Sequence, residues 1–488
     1  MAKYDYDLAI IGAGSAGLTV AAGAAQLGAK TLLIEKEKHL GGDCLHYGCV
    51  PSKTLIHIAR VRHLMQTAGD QGLPAVELPP VDFRLVSGRI KEVIGAIQAG
   101  DSVQRFCSLG AQVEFGSPRF VDDHAVDLGG RTVSARQWVL ATGSSPSLPP
   151  VPGLHGIAPL TNREIFYLDR LPASLLVLGA GPIAIEMAQA FNRLGAKVTV
   201  VQRSGQILSK EDADLAGVAQ EILAREGVGF LMNTKAESVV EADGQKQLTV
   251  VRQDGTREVL TAEQILVALG HAPNVAGLDL EKAGVEFSPR GIKVDERLRT
   301  SQKHIYAAGD CIGAYLFTHA AGYEGGVVVA NAIFHLPRKT DYTWLPWCTY
   351  CEPELASLGM NEKRAREAGV PYTVWSEDFA HNDRSLTEGF REGRLKMLLD
   401  DKERIIGVQI LGPHAGELLN EWVAVVQGGV KLSTLAGAMH PYPTLGEISK
   451  KTAGGPLAAK LFSSTVKKGL QLFFSTRGRA CSLPPDLP

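Results

Sequence analysis

Cys44 and Cys49 stand five residues apart in the run Gly41-Gly42-Asp43-Cys44-Leu45-His46-Tyr47-Gly48-Cys49-Val50-Pro51-Ser52-Lys53. If Gly48 lets the backbone make a helical turn, the two side chains can meet as a disulfide. A zinc site would use a CxxC pair and a second ligand pair, and neither surrounds this segment. Seven cysteines in 488 residues make no secreted disulfide framework. In a cytoplasmic enzyme such a dithiol is more often catalytic than structural. The chemistry on offer is thiol–disulfide exchange. A second pair, Cys348 and Cys351 in Trp347-Cys348-Thr349-Tyr350-Cys351, reads either as a redox or metal pair or as a strand, whose residues i and i+3 face opposite ways.

A dithiol needs an electron source, and the segment before it supplies one. An apolar strand, Tyr6 to Ile11, runs into Gly12-Ala13-Gly14-Ser15-Ala16-Gly17 and a helical pattern through Leu18, Ala21, Ala22, Ala25 and Leu27. A second strand, Lys30 to Ile34, ends in Glu35. Gly12 permits a tight turn, Gly14 lets backbone approach a pyrophosphate, and Gly17 lets helix and strand pack closely. The helix N-terminus offers free N–H groups to phosphate, and Glu35 can accept from a ribose hydroxyl. The unit recurs: strand Leu175 to Leu178, Gly179-Ala180-Gly181-Pro182-Ile183-Ala184, a helix through Ile185, Met187 and Phe191, and strand Lys197 to Val201. Two units imply two dinucleotides, or one mononucleotide-like pair. The second unit ends in Gln202-Arg203-Ser204 in place of an acid. Arg203 can pair with a 2′-phosphate, which favours NADPH with NADH as the alternative. Otherwise Arg203 is a solvated strand-end charge.

Lys+Arg number 50 and Asp+Glu 52, a net charge of −2, which argues against a general nucleic-acid binder. An apolar fraction of 45% and a charged fraction of 21% exclude global disorder. No uninterrupted apolar run reaches the roughly 18 residues of a membrane span. The stretch from Leu8 to Val20 is split by glycines and lacks a basic lead-in, so it reads poorly as a signal peptide. The expectation is a soluble, cytoplasmic chain of about three domains.

The segment from Gly41 to Lys53 resembles the redox box of the flavoprotein disulfide reductases, the family of glutathione reductase, dihydrolipoamide dehydrogenase and mercuric reductase. Ala141-Thr142-Gly143, Ile305-Tyr306-Ala307-Ala308-Gly309-Asp310 and Gly179 to Glu186 are similar to three further motifs of that family, so the resemblance covers nearly the whole chain. It is strongest to mercuric reductase, then to dihydrolipoamide dehydrogenase. It implies an α/β fold of two Rossmann-like dinucleotide-binding domains plus an α+β C-terminal dimerisation domain. The implied divisions are 1–150 with 275–335 for FAD, 151–274 for NAD(P)H, 341–455 for dimerisation, and a basic extension over 456–488. FAD would lie against Gly12, Gly14, Gly17, Glu35, Gly42, Thr142, Gly143, Gly270, Gly309 and Asp310; NADPH against Gly179, Gly181 and Arg203. Cys49 would be the flavin-proximal charge-transfer thiol, Cys44 the interchange thiol, and Lys53 a cation beside flavin N5 paired with Glu186. Such a cation stabilises reduced flavin and the Cys49 thiolate, and a buried lysine needs a partner to stay charged. No resident metal ion is implied. The acceptor would be a small molecule or a metal ion, and two subunits would share their active sites.

The pattern breaks in four places. The family's disulfide reductases carry His-Pro-Thr with a glutamate five residues after the histidine, a pair that reaches the partner's thiols. Here Pro443-Thr444 and Glu447 align, but Tyr442 takes the histidine's place, as in mercuric reductases. A phenol is a poor neutral-pH acid–base group beside imidazole. His440, two residues earlier, would face the same side if the segment is extended, and could replace the missing imidazole. Asp43 stands where relatives usually carry threonine, and His46-Tyr47 also departs, which bears on substrate access. Against mercury detoxification, the chain opens at the FAD strand with no metal-binding domain before it, and only Cys481 lies near its end. Finally, Leu461, Phe462, Val466, Leu470 and Phe473 recur near helical spacing, and Lys460, Lys467, Lys468, Arg477 and Arg479 occur without an acid between Lys460 and Cys481. Such a helix can touch the inner face of an anionic membrane or pack on the dimer.

Overall fold

The computed structural model describes residues 3–471. The chain forms two compact units. The first holds residues up to Ser209, Gln220–Leu345 and Thr349–Cys351; the second holds Lys210–Ala219, Pro346–Cys348 and the chain from Glu352.

The first unit is α/β and contains both predicted nucleotide folds. Strands Ala111–Phe115, Thr31–Glu35, Tyr6–Ile11 and Arg131–Leu140 lie side by side in parallel, with Ile305–Ala307 parallel to Arg131–Leu140. Strand Tyr6–Ile11 is buried and apolar from Leu8 onward because both faces of the sheet are covered there. Leu8 and Ile10 enter a cluster with Val20, Ala24 and Val327, whereas Ala9 and Ile11 enter another with Phe120, Trp138 and Leu280. Helix Ser15–Gln26 packs on helix Thr318–Ala332 through small residues. A Cβ on Gly325 would come 3.0 Å from the Ala16 carbonyl oxygen, so only glycine allows this approach. The second parallel sheet orders Gln264–Val267, Ser174–Leu178, Lys197–Val201 and Gly229–Leu231, and a three-stranded antiparallel sheet follows it. Each glycine loop leaves the carboxyl end of its strand and opens a helix, where a doubly wound sheet binds nucleotide.

The second unit is α+β. Its sheet orders Pro346–Thr349, Glu354–Gly359, Ile405–Gly412, Arg394–Leu399 and Thr373–Asp378, the last four antiparallel. Helices Ala415–Gln427 and Glu447–Leu461 are joined by a Trp422 Nε1–H donation to Ser449 Oγ at 3.0 Å. The short stretch Lys210–Ala219 is an integral part of this unit. Lys396 is 2% exposed, and its Nζ meets Asp212 at 2.9 Å and Asp214 at 3.1 Å, with Glu362 as a third carboxylate. Beside them Glu211 accepts from Trp347 Nε1, Ser357 Oγ and Gln409 Nε2.

The C-terminal stretch departs from the single amphipathic helix that its spacing suggests. Helix Glu447–Leu461 runs straight across the expected border at 455/456. The chain then breaks, and Ser463 caps a separate short helix, Ser464–Leu470, by accepting from the Val466 N–H at 3.5 Å. A serine at a cap position competes with the continuing helix for those N–H groups, which accounts for the break. Leu461, Phe462 and Leu470 are exposed, while Lys460 pairs with Glu403. Phe473, Arg477, Arg479, Cys481 and residues 482–488 lie outside the described residues. Among those described, no helix is long and apolar enough to cross a membrane.

Candidate active site

The first glycine loop is held by backbone crowding that leaves a gap at one position. Gly12 has φ +104°, and a Cβ there would fall 2.2 Å from the Ala141 carbonyl oxygen. A Cβ on Gly17 would fall 1.8 Å from the Gly12 oxygen. Gly14 differs: its φ is −81°, and the nearest atom to an added Cβ is 3.9 Å away. The second loop repeats the contrast, with Gly179 at φ +106° crowded by Ala268 and Gly181 facing open space. Ala184 takes the third position and is fully buried. Neither helix that starts here, Ser15–Gln26 or Pro182–Leu194, has a side chain capping its first N–H groups. Uncrowded backbone at the middle glycine and uncapped helix N–H groups fit a pyrophosphate at both places.

Around the first loop the expected FAD residues gather. Glu35 is 6% exposed; its Oε2 accepts from the Ala13 N–H at 2.7 Å and its Oε1 from Glu37 N–H at 2.9 Å, so it braces the loop as well as facing it. Gly42 packs backbone to backbone on Gly14, where a Cβ would sit 2.7 Å from the Gly14 Cα. Thr142 Oγ1 donates to the Asn274 carbonyl at 2.7 Å, and Asn274 returns a bond to the Thr142 carbonyl at 2.9 Å. Gly143 and Gly270 both take positive φ and bracket the short pairing of Ser144–Pro146 with His271–Pro273. Asp310 accepts from Ser144 Oγ at 2.6 Å, and burial pushes its carboxyl above the usual range. Gly309 donates its N–H at 2.6 Å to Glu324, a fully buried carboxylate that also accepts from the Tyr342 hydroxyl. Ser144, Asn274 and Glu324 carry no sequence signal of their own; their partners lie more than a hundred residues away or across a turn. Arg203 is exposed just beyond the end of strand Lys197–Val201.

The dithiol follows directly. Cys44 lies on the short helix Gly42–His46, and Cys49 is the first residue of helix Cys49–Gln66. Gly48 joins them with φ −122°; a Cβ there would come 3.0 Å from the Asp43 oxygen and 3.1 Å from the Cys44 Cα, so glycine serves for close approach and not for a left-handed turn. Both cysteines stand as thiols. Cys49 Sγ lies 3.5 Å from Thr318 Oγ1, and Thr318 opens its own helix, so two helix N-termini meet at this sulfur. Lys53 Nζ is 2.8 Å from Glu186 Oε2, over the Tyr350 ring at 4.5 Å, and Glu186 Oε1 accepts from the Tyr350 N–H at 2.9 Å. The Cys49 thiol is pulled down to about 6, first by the hydrogen bond from Cys44, then by Thr318 and the Lys53 charge, against burial. The same hydrogen bond, with burial, pushes the Cys44 thiol up. The pair is polarised: a stabilised thiolate at Cys49 and a neutral thiol at Cys44. Replacing Lys53 with Met is expected to raise the pH at which Cys49 ionises. In the native protein, ultraviolet thiolate absorbance should be full at neutral pH and fade as pH falls through about 6. An unchanged midpoint in the variant would remove Lys53 from this role.

The predicted acid–base residues do not line up as expected. The segment from Ala438 to Gly446 is not a strand. His440 turns inward, its side chain 11% exposed and its Nε2 2.8 Å from Glu421 on helix Ala415–Gln427. Tyr442 is 70% exposed and donates to Asp383 at 2.9 Å. The two therefore face different neighbours because the backbone lacks the period-two alternation of a strand. Glu447 is half-buried as the first residue of helix Glu447–Leu461. Glu421 was hidden in the sequence by its distance from His440. Cys348 is half-buried with its Sγ 4.0 Å from Glu354 Oε2, and Cys351 is buried just past the strand end.

Two Rossmann-type folds with glycine loops open to phosphate, and a polarised cysteine pair one loop away, define a nucleotide-dependent thiol oxidoreductase. Residues 6–325 match the pyridine nucleotide-disulphide oxidoreductase family and residues 345–453 match its dimerisation domain, and the chain belongs to that family. It is thus an FAD-dependent, NAD(P)-binding flavoprotein that forms a homodimer. It is 31% identical to a mercuric reductase of Staphylococcus aureus over 466 residues, 95% of this chain and 84% of that one. It is 34% identical to a dihydrolipoyl dehydrogenase of Bacillus subtilis over 451 residues, 90% of this chain and 96% of that one. Among solved structures, the Cu(II) complex of the HOCl-induced flavoprotein disulfide reductase RclA from Escherichia coli superposes with a TM-score of 0.81 at 27% identity, covering 91% of this chain and 98% of that one.

Proposed function

We propose that the enzyme passes electrons from NADPH to the Cys44–Cys49 pair and on to a soft metal ion or a disulfide. A bound FAD supplies the two-electron relay between nicotinamide and sulfur. The polarised pair carries this reading: Cys49 is held as a thiolate by the Cys44 hydrogen bond, Thr318 and Lys53, while Cys44 keeps its proton and meets the acceptor. Thiolates favour soft metal ions, which puts Hg(II), and the borderline ion Cu(II) whose reduction yields soft Cu(I), beside disulfides as acceptors. The reading divides the chain as 1–150 with 275–335 for FAD, 151–274 for nicotinamide, and 341–455 for the dimer. Within the dimer, His440 backed by Glu421 accepts the proton of the partner subunit's Cys44, and the exposed Tyr442, near Glu447, orients the acceptor. The test is anaerobic reduction of the purified protein followed by a screen of Hg(II), Cu(II), lipoamide, glutathione disulfide and quinones. Fastest reoxidation by a soft metal ion is expected. Fastest turnover of lipoamide paired with NAD would establish the dihydrolipoyl dehydrogenase reading instead.

Arg203 supports NADPH over NADH, since an exposed guanidinium beyond the second strand can pair with the 2′-phosphate. Such a charge-assisted bond is worth about 1.5–3 kcal/mol, or roughly 10–150-fold in kcat/KM. Arg203→Glu is expected to erase or reverse the preference. Equal use of both nucleotides by the native enzyme would end this assignment.

A further inference from the structure

Asp43, His46 and Tyr47 stand beside and between the two cysteines, and all three meet one short stretch, residues 161–167. Asn162 is 6% exposed and spends both amide hydrogens on the turn that carries Cys44. Its Nδ2 donates to Asp43 Oδ2 at 3.1 Å and to the Tyr47 carbonyl at 3.1 Å. Its Oδ1 lies 3.4 Å from His271 Nε2, which fixes the amide from behind. The next residue repeats the grip: Arg163 Nε is 3.6 Å from Asp43 Oδ1, and its guanidinium lies over the Tyr47 ring at 4.2 Å. Tyr167 donates its hydroxyl to the His46 carbonyl, and the Tyr47 N–H closes the turn onto the Asp43 carbonyl at 2.8 Å. Asp43 immediately precedes Cys44, and Tyr47 immediately precedes Gly48-Cys49.

We propose that Asn162 and Arg163 are positioning residues that pin the two ends of the Asp43–Tyr47 turn, keep Cys44 within bonding reach of Cys49, and thereby make the disulfide harder to reduce. The inference rests on the dithiol reading of that pair. Asp43 and Tyr47 are then halves of one device: each supplies the acceptor or ring that the 162–163 pair holds. Loosening the turn lowers the effective concentration of one thiol at the other, which weakens the disulfide without touching either sulfur. The neighbouring charges leave the clamp intact, since the Asp43 carboxylate faces both the Asn162 amide and the Arg163 guanidinium.

The test uses the full-length, FAD-loaded protein equilibrated with mixtures of reduced and oxidised dithiothreitol. Reduced dithiothreitol gives two electrons and two protons as it closes to its cyclic disulfide; the Cys44–Cys49 S–S bond breaks and takes up both electrons, one proton going to the Cys44 thiol and the other to solvent, with Cys49 left as the thiolate. Alkylation of the free thiols reads the ratio. Asn162→Ala is expected to lower the equilibrium constant for disulfide formation about tenfold, a rise in potential of about 30 mV. Arg163→Met should shift it the same way by less. Because the Arg163 side chain is 27% exposed, that variant decides the matter if Asn162→Ala does not fold. Native titration in both variants would overturn the clamp while leaving the dithiol reading standing. A native protein that forms no Cys44–Cys49 disulfide at any ratio would overturn both.

Discussion

Cys49→Ser is expected to abolish the long-wavelength absorbance that a thiolate produces beside oxidised flavin, whereas Cys44→Ser keeps it. The asymmetry comes from position: Cys49 opens one helix, touches the first residue of another and lies by the Lys53 charge, and a serine hydroxyl at position 44 still donates the hydrogen bond that the Cys44 thiol gives it. Removing Cys44 leaves that thiolate in place and takes away the sulfur that meets the acceptor. Both substitutions should lower acceptor turnover by more than about a thousandfold, as expected when one member of a group that acts as a unit is lost. Absorbance spectra of the two purified variants, with stopped-flow turnover, check this. A persistent band in Cys49→Ser would reverse the assignment of the two thiols.

Gly17→Ala should yield protein with almost no flavin and a markedly lower Tm, and Gly14→Ala should fold and lose flavin affinity alone. A Cβ at Gly17 would sit 1.8 Å from the Gly12 carbonyl oxygen and 3.3 Å from Ile10 Cγ2. Gly12 is itself in a confined turn at φ +104°, where even a Cβ would fall 2.2 Å from the Ala141 carbonyl oxygen. Backbone has to move in the middle of the parallel sheet, at a cost on the order of 3 kcal/mol or more. At Gly14 the added methyl meets nothing nearer than 3.9 Å and projects where phosphate belongs. Flavin content per chain and thermal unfolding separate the two cases. Equal flavin loading in both variants would refute the different roles given to these glycines.

What the sequence made legible was local. The strands Tyr6–Ile11 and Lys197–Val201 have the bounds that the sequence pattern suggests, and both glycine loops sit between strand and helix as their spacing requires. Lys53 and Glu186 were paired through the family resemblance, and the structure joins them. The rest depended on partners far away in the chain. Nothing near Cys49 announces Thr318, and nothing near Asp43 announces Asn162. A shared face for His440 and Tyr442 requires an extended 438–446 segment, but prolines fix φ and not the alternation of a paired strand, and the two side chains diverge toward Glu421 and Asp383. In the C-terminal stretch the single helix that the spacing suggests is broken, because Ser463 starts a second one.

The small piece Lys210–Ala219 has a consequence for how this protein can be taken apart. It supplies Asp212 and Asp214 to Lys396, a side chain 2% exposed in the heart of the C-terminal sheet. A fragment begun at Pro346 would keep the sheet's strands and strand Lys396 beside Glu362 alone. Removing a partner from a buried ion pair costs about 3–5 kcal/mol, a large share of the stability of so small a fold. The dimerisation portion is therefore not a detachable module, and shuffling it between relatives as one contiguous block would carry over a buried lysine with Glu362 in place of three carboxylates.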